Sequence, residues 1–147
     1  MPAIARYQPV SDAYTTFRVS GPDGDIGFSM TELCEIDGWR YISVPDDVTP
    51  FIPPQIVSYE IASLDDTARA MIRAASPHAQ LIAQRVIDKI RAKYTLDDEL
   101  YFARIAVGAL QGTYQFQDGE QALVAQYQID VEAAREWGRL EREKLGI

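Results

Sequence analysis

The stretch Leu33-Cys34-Glu35-Ile36-Asp37-Gly38-Trp39-Arg40-Tyr41-Ile42-Ser43-Val44 decides how the front of this chain is read. Both arms are rich in aromatic and β-branched side chains, and an Asp-Gly pair stands between them. Those two residue types accept the positive φ angles of a two-residue type I′ turn, whose twist matches that of paired strands. The expectation is an antiparallel hairpin with adjacent strands at 33–36 and 39–44.

Upstream, residues 14–20 alternate, with Thr15, Phe17 and Val19 on one side, which predicts a strand. Gly21, Pro22, Asp23, Gly24 and Asp25 supply turn chemistry, and a further strand is expected to begin near Ile26. Residues 1–13 contain Pro2 and Pro9 and hold no period, so they read as a lead-in arm rather than a core strand. Downstream, Pro45, Pro50, Pro53 and Pro54 cannot donate to a ladder, which makes 45–54 a connector. Residues 55–61 offer one more short strand. The front of the chain is therefore expected to be a small antiparallel β-meander.

Periodicity changes at Ser63. Ser63 and Asp66 have the spacing of a capping box, and Leu64, Ala68, Met71 and Ile72 suit a short helix ending near Ala75. Ser76-Pro77 then starts a second helix, because serine caps and proline is tolerated where the amide has no helical partner. In it Ile82, Val86, Ile90 and Tyr94 recur every four residues as an apolar stripe. Arg85, Lys89, Arg91 and Lys93 form the best local basic face, but a packed helix explains them better than a binding tract. Thr95 and Asp98 repeat the capping pattern.

Beyond that cap, Leu96, Leu100, Ala103, Val107, Leu110 and Tyr114 follow alternating intervals of four and three residues, a heptad-like seam. Such a seam serves antiparallel packing within the chain or a contact between subunits, and spacing does not separate the two. Residues 111–117 weaken the helical pattern, and Asp118-Gly119 marks a turn. A last long helix covers much of 120–145, with Leu123 or Val124, Tyr127, Val131 and Ala134 inward, Trp137 and Leu140 extending the contacts, and Gly146 as C-terminal cap. The fold class is thus α+β: a β-rich module with a lead-in arm at 1–62, and a helical module of three or four amphipathic helices at 63–147.

A chain of 147 residues is long enough for one domain or for a small module with a helical extension. With 47% hydrophobic and 24% charged residues it is not a wholly disordered chain. Residues 1–62 hold nine acidic and three basic side chains, net −6 of the total −8, so the front carries most of the negative field. That field lacks the attraction needed for duplex nucleic acid or an anionic membrane, and neither is expected as a partner. Cys34 is the sole cysteine, which precludes an intrachain disulfide and reads as a small core residue in a reducing compartment. No signal-like opening segment and no apolar run of membrane-spanning length occurs.

Chemistry-bearing patterns are sparse. His78, the only histidine, stands at a helix start whose positive end disfavours its charged form. Ser76, His78 and Cys34 build no nucleophile motif. Asp23 with Asp25, and Asp46 with Asp47, lack calcium-loop spacing and read as turn and surface residues. No catalytic residue, cofactor or metal is expected, and the chain reads as a non-enzyme. The candidates for partner binding are the aromatic residues Trp39, Tyr41, Tyr114, Phe116, Tyr127 and Trp137, since such side chains bury large areas in contacts. The alternative reading is a small-molecule binding module, its pocket lined around Trp39, Tyr41 and Tyr59 or by the loop at 114–116.

Three segments carry a family resemblance: Ala74-Ala75-Ser76-Pro77-His78, Ile90-Arg91-Ala92-Lys93-Tyr94-Thr95-Leu96-Asp97-Asp98-Glu99, and Glu136-Trp137-Gly138-Arg139. The pattern resembles small bacteriophage or prophage tail-region proteins with an acidic β-rich beginning and a helical end. The resemblance implies a tail assembly chaperone or a tail or baseplate accessory component, with a tail, tail-fibre or baseplate protein as partner. It implies work in the host cytoplasm during assembly, or a place in the virion tail. It transfers no catalytic or ligand-binding residue. The helical stripes also suit a homo-oligomer.

Overall fold

Asp37 and Gly38 both adopt positive φ, 52° and 78°, in the computed structural model of the chain. They close the expected hairpin between β4 (Thr31–Ile36) and β5 (Trp39–Val44). The structure describes residues 1–22 and 30–147. The expected turn through Asp25, the strand near Ile26 and the Asp23/Asp25 pair therefore lie outside the described residues.

The supposed lead-in arm is where the sheet departs from expectation. Residues Ala3–Tyr7 form β1, which pairs antiparallel with β5 along its whole length and with β6 (Glu60–Ile61) on its other side. The sheet order is β4-β5-β1-β6, so β1 is an interior strand. It shows no alternation because both of its faces are covered: Ile4 packs with Leu33, Cys34 and Ile72, while Ala5 and Tyr7 pack with Ile42, Val44 and Ile56. Pro2 and Pro9 lie just outside the strand and interrupt no ladder. At 14–20 only Thr16–Phe17 is a strand, β3, joined in a two-stranded ribbon to β2 (Val10–Ser11). Ser20 instead bridges Phe51 in the proline-rich connector. Between Glu32 and Cys34 the register of β4 shifts, and consecutive Leu33 and Cys34 both enter one apolar cluster. Burial raises the Cys34 thiol above its ordinary pKa.

Four helices follow: α1 (Asp66–Ala75), α2 (Pro77–Arg91), α3 (Leu96–Leu110) and α4 (Glu120–Glu143). This is the expected α+β class, an antiparallel sheet followed by four helices. The cap of α1 is Asp65, not Ser63; its carboxylate accepts from the Ala68 amide at 2.7 Å. Ser63 stands two residues too early, and a negative acceptor suits the positive helix end. Ser76 is fully buried between α1 and α2, and its Oγ accepts from the Ala79 amide. Tyr94 lies beyond α2, so the stripe expected on that helix stops at Ile90. Thr95 and Asp98 form the reciprocal capping box of α3. The Gly146 and Ile147 amides reach back to the Glu143 and Arg142 carbonyls, a Schellman closure with Gly146 at φ 76°.

Packing divides the chain into two compact units, residues 1–82 with 141–147, and residues 83–140. These divisions fall inside α2 and α4, whereas the change from strands to helices falls between Ile61 and Asp66. In the first unit Ile72 of α1 packs on the sheet cluster together with Leu145 and Ile147, and Arg69 donates to the Gly146 carbonyl at 2.6 Å. In the second, Phe102, Ile105 and Val124 are buried amid Tyr94, Tyr101, Tyr114, Phe116 and Tyr127. No helix among the described residues is long and apolar enough to cross a membrane.

Candidate interaction surface

Helix α3 is apolar on two sides, which is how one short helix furnishes both a core and a surface. Phe102 and Ile105 face inward, where Phe102 meets Tyr94 edge-on at 6.0 Å and Tyr127 at 5.3 Å between ring centroids. The heptad-like seam occupies the other side. Leu96, Leu100, Val107 and Leu110 are 56, 61, 50 and 89% exposed, and Ala103 between them is exposed as well. The seam therefore does not pack within its own unit. Only its last member, Tyr114, turns inward to the aromatic cluster.

Two shallow depressions run along one edge of this stripe. One, of about 610 Å³, is lined by Ala103, Arg104, Val107, Gly108, Thr113 and Tyr114, and a smaller one of about 220 Å³ by Asp97, Leu100, Tyr101 and Arg104. Gly108 lets Tyr114 pack close against α3 beside the larger one, because a Cβ there would stand 2.8 Å from Tyr114 Cβ. Of the four charged side chains on α3, two carboxylates have polar partners, and the Arg104 guanidinium stands 5.8 Å from the Tyr101 ring centre. Asp98 serves the capping box, and Glu99 accepts from Tyr127 at 2.9 Å and pairs with Arg91. Asp97 and Arg104 are exposed, and among the described residues neither forms an ion pair.

Behind the stripe, one buried and one half-buried carboxylate hold the helices in place. Glu120, the first residue of α4, accepts from Tyr101, from the Tyr114 hydroxyl at 2.8 Å and from the Gln117 amide at 2.8 Å. The Tyr101 hydrogen bond does most to hold its carboxyl below the ordinary glutamate range, and the same carboxylate pushes Tyr114 up to about 12. Asp130 plays the matching part on α4, accepting from Tyr94 at 2.7 Å and Lys93 at 2.9 Å, which lowers its own pKa and raises Tyr94 to about 12. The spacing of Glu120 marks only a helix start; its two tyrosine partners come from α3 and the following loop and are invisible to local pattern.

The six aromatic candidates separate into three places. Tyr114, Phe116 and Tyr127 come together, half-buried, in the core cluster of the second unit. Trp137 lines a groove with Lys93, Asp130 and Ala134 on the same unit, and the Lys89 ammonium lies 4.7 Å over its ring. Trp39 and Tyr41 belong to the first unit, on β5, and line a groove of about 320 Å³ with Ile36, Met71 and Ile72; the Arg6 guanidinium stands 4.4 Å from the Trp39 ring centre. Tyr59 packs on the sheet cluster of that unit. His78 and Asp47 are exposed, and Asp46 pairs with the Met1 amine at 3.0 Å. Among the described residues no three His, Cys, Asp or Glu side chains gather as a metal site. The chain matches no family model, no curated protein and no solved structure.

Proposed function

We propose that this protein acts without catalysis, through protein contacts, as a phage tail assembly chaperone or as a tail or baseplate accessory component. The observation that carries the contact reading is the stripe Leu96, Leu100, Ala103, Val107 and Leu110, left exposed along a helix that already has a buried core side. Apolar side chains aligned over about four helical turns cost hydration unless something covers them. The phage setting rests on the resemblance of 74–78, 90–99 and 136–139 to tail-region proteins. Its partners are a tail, tail-fibre or baseplate protein and further copies of itself, in the host cytoplasm during assembly or in the virion tail.

The test is a pull-down from phage-producing cells with the tagged full chain and with Leu100→Asp and Val107→Asp. A tail or baseplate protein retained by the natural chain supports the reading, and its loss with both variants would put the tail contact on the stripe itself. Repeated recovery of none under assembly conditions sinks the phage role. A second reading, binding of a small molecule, is favoured by one feature, the depression of about 610 Å³ beside Tyr114, whose size lies in the range of ligand sites. Thermal stabilisation of the purified chain by a metabolite, abolished by Tyr114→Ala, is its test.

A further inference from the structure

We infer that the α3 stripe is covered by the same stripe of a second copy, packed antiparallel across a two-fold axis that passes between the levels of Tyr101 and Phe102. The inference rests on reading this stripe as a contact surface and names its occupant.

Three observations converge on that occupant. The first is order. A two-fold interface requires that residue i meet residue j and j meet i, and antiparallel heptad packing opposes each first-position side chain to a fourth-position one. In the stripe Leu100 and Val107 hold one heptad position, and Leu96, Ala103 and Leu110 hold the other. Placing the axis between 101 and 102 opposes Leu100 to the partner's Ala103 and Leu96 to the partner's Val107, each twice. Four apolar layers form, with the small residue next to the axis, where two helices approach most closely. Leu110 falls outside them, beyond the partner's helix start.

The second observation is charge. Asp97 and Arg104 lie on one edge of the stripe, seven residues apart, and a separation of about 10 Å along the axis keeps them from pairing with each other. In the antiparallel arrangement Arg104 comes level with the partner's Asp97 to within two residues, and the reverse pair forms by symmetry. The two charges of α3 without an ion-pair partner thus become each other's partners, while a parallel arrangement would put the two Asp97–Arg104 edges on opposite sides of the interface, out of each other's reach. The third observation is the field around the stripe. Residues 83–140 hold nine acidic and seven basic side chains, net −2, so two copies of this unit meet with little repulsion, unlike two copies of the acidic front. The depressions beside Asp97 and Arg104 leave room for the partner's long side chains on that edge.

The experiment is sedimentation of the purified full chain over a range of concentrations, with Asp97→Arg, Arg104→Glu and an equimolar mixture of the two. Both substitutions are at exposed positions, and circular dichroism verifies that each variant keeps its helices. The natural chain is expected to pass from monomer to dimer with concentration. Each single variant sets like charges against one another and should weaken dimerisation about tenfold or more, while the mixture restores it as a heterodimer. Register is read separately: oxidation of a Leu100→Cys and Ala103→Cys mixture should give a disulfide-linked pair, and Leu110→Cys alone should not.

A chain monomeric at every concentration overturns the inference and leaves the stripe to a tail protein, which the pull-down detects independently. Dimerisation indifferent to both charge changes, or not restored by mixing, overturns it in favour of another face. Cross-linking through Leu110→Cys in preference to the 100/103 pair overturns the register.

Discussion

The β4–β5 hairpin and helix α3 carry the two clearest periodic patterns in the chain, and they end in opposite surroundings. In the hairpin the apolar residues become core: Leu33, Ile42 and Val44 are buried, and interior strand β1 joins them through Ala5 and Tyr7. On α3 the most regular apolar series is the exposed one, and the core side is made by Phe102 and Ile105, which the heptad spacing skips. The difference lies in what each element has to satisfy. A strand must lend its backbone to neighbours, so its apolar face is brought against other layers as the sheet assembles. A helix closes its own hydrogen bonds and needs only one buried stripe, so a second apolar stripe can stay at the surface.

The largest break in this comparison comes from the two sides of α3 itself. Phe102→Ala should cost about 3–5 kcal/mol in urea unfolding, because it empties the centre of the aromatic cluster. Leu110→Ala, on the exposed side and outside the proposed layers, should stay within about 0.5 kcal/mol. Similar losses for both would mean that α3 does not have one core side and one free side.

Next comes the closure of each unit. Gly146 and Gly112 share positive φ, 76° and 71°, but a Cβ on Gly146 would stand 2.7 Å from the Pro2 carbonyl oxygen whereas Gly112 faces open space. Alanine at either site meets left-handed backbone strain of about 1 kcal/mol, and Gly146→Ala should exceed Gly112→Ala by the added clash. Equal losses, measured by thermal unfolding, would show that the tail of the chain shifts freely.

A smaller effect is expected at the start of α3. Thr95→Ala removes the capping box and should cost about 1 kcal/mol, with Thr95→Ser recovering most of it in denaturant titration. The smallest concerns acid. Because the folded pKa of Glu120 is depressed, its contribution is complete above the unfolded glutamate value and is lost as pH falls through the folded one. Glu120→Gln should therefore unfold with a shallower dependence on pH over that acidic interval, while near neutral pH it is simply less stable. An unchanged acid slope would remove the carboxylate from the account of how α4 docks.

Much of the frame was legible locally. The Asp37-Gly38 turn, the Ser76-Pro77 junction, the Thr95/Asp98 box, the Asp118-Gly119 turn and the Gly146 cap are each written in one short segment, because each is a backbone requirement met by neighbouring residues. Strand β1 was not legible, since burial on both faces erases alternation, and two-residue strands such as β2, β3 and β6 are too short to show a period. The candidate surface was half legible: the spacing of Leu96 to Leu110 was plain, but α3 is apolar on both sides, so periodicity had no means of choosing which side faces inward. The pairs Trp39–Tyr41 and Tyr114–Phe116 stand two residues apart and were legible, but the joining of Tyr127 to Tyr114 and Phe116, and of Met71 and Ile72 to the Trp39 groove, depends on contacts between segments distant in sequence.

By itself, then, the sequence determined the class of the fold, the hairpin, the starts of α2 and α3 and the presence of a seam, because turns, caps and periods act over a few residues. Tertiary structure alone decided that residues 3–7 lie inside the sheet, that Glu120 binds Tyr101 and Tyr114, and that the seam of α3 is left bare. Those outcomes follow from which surfaces compete for burial once the elements meet, and that competition is settled by the whole chain.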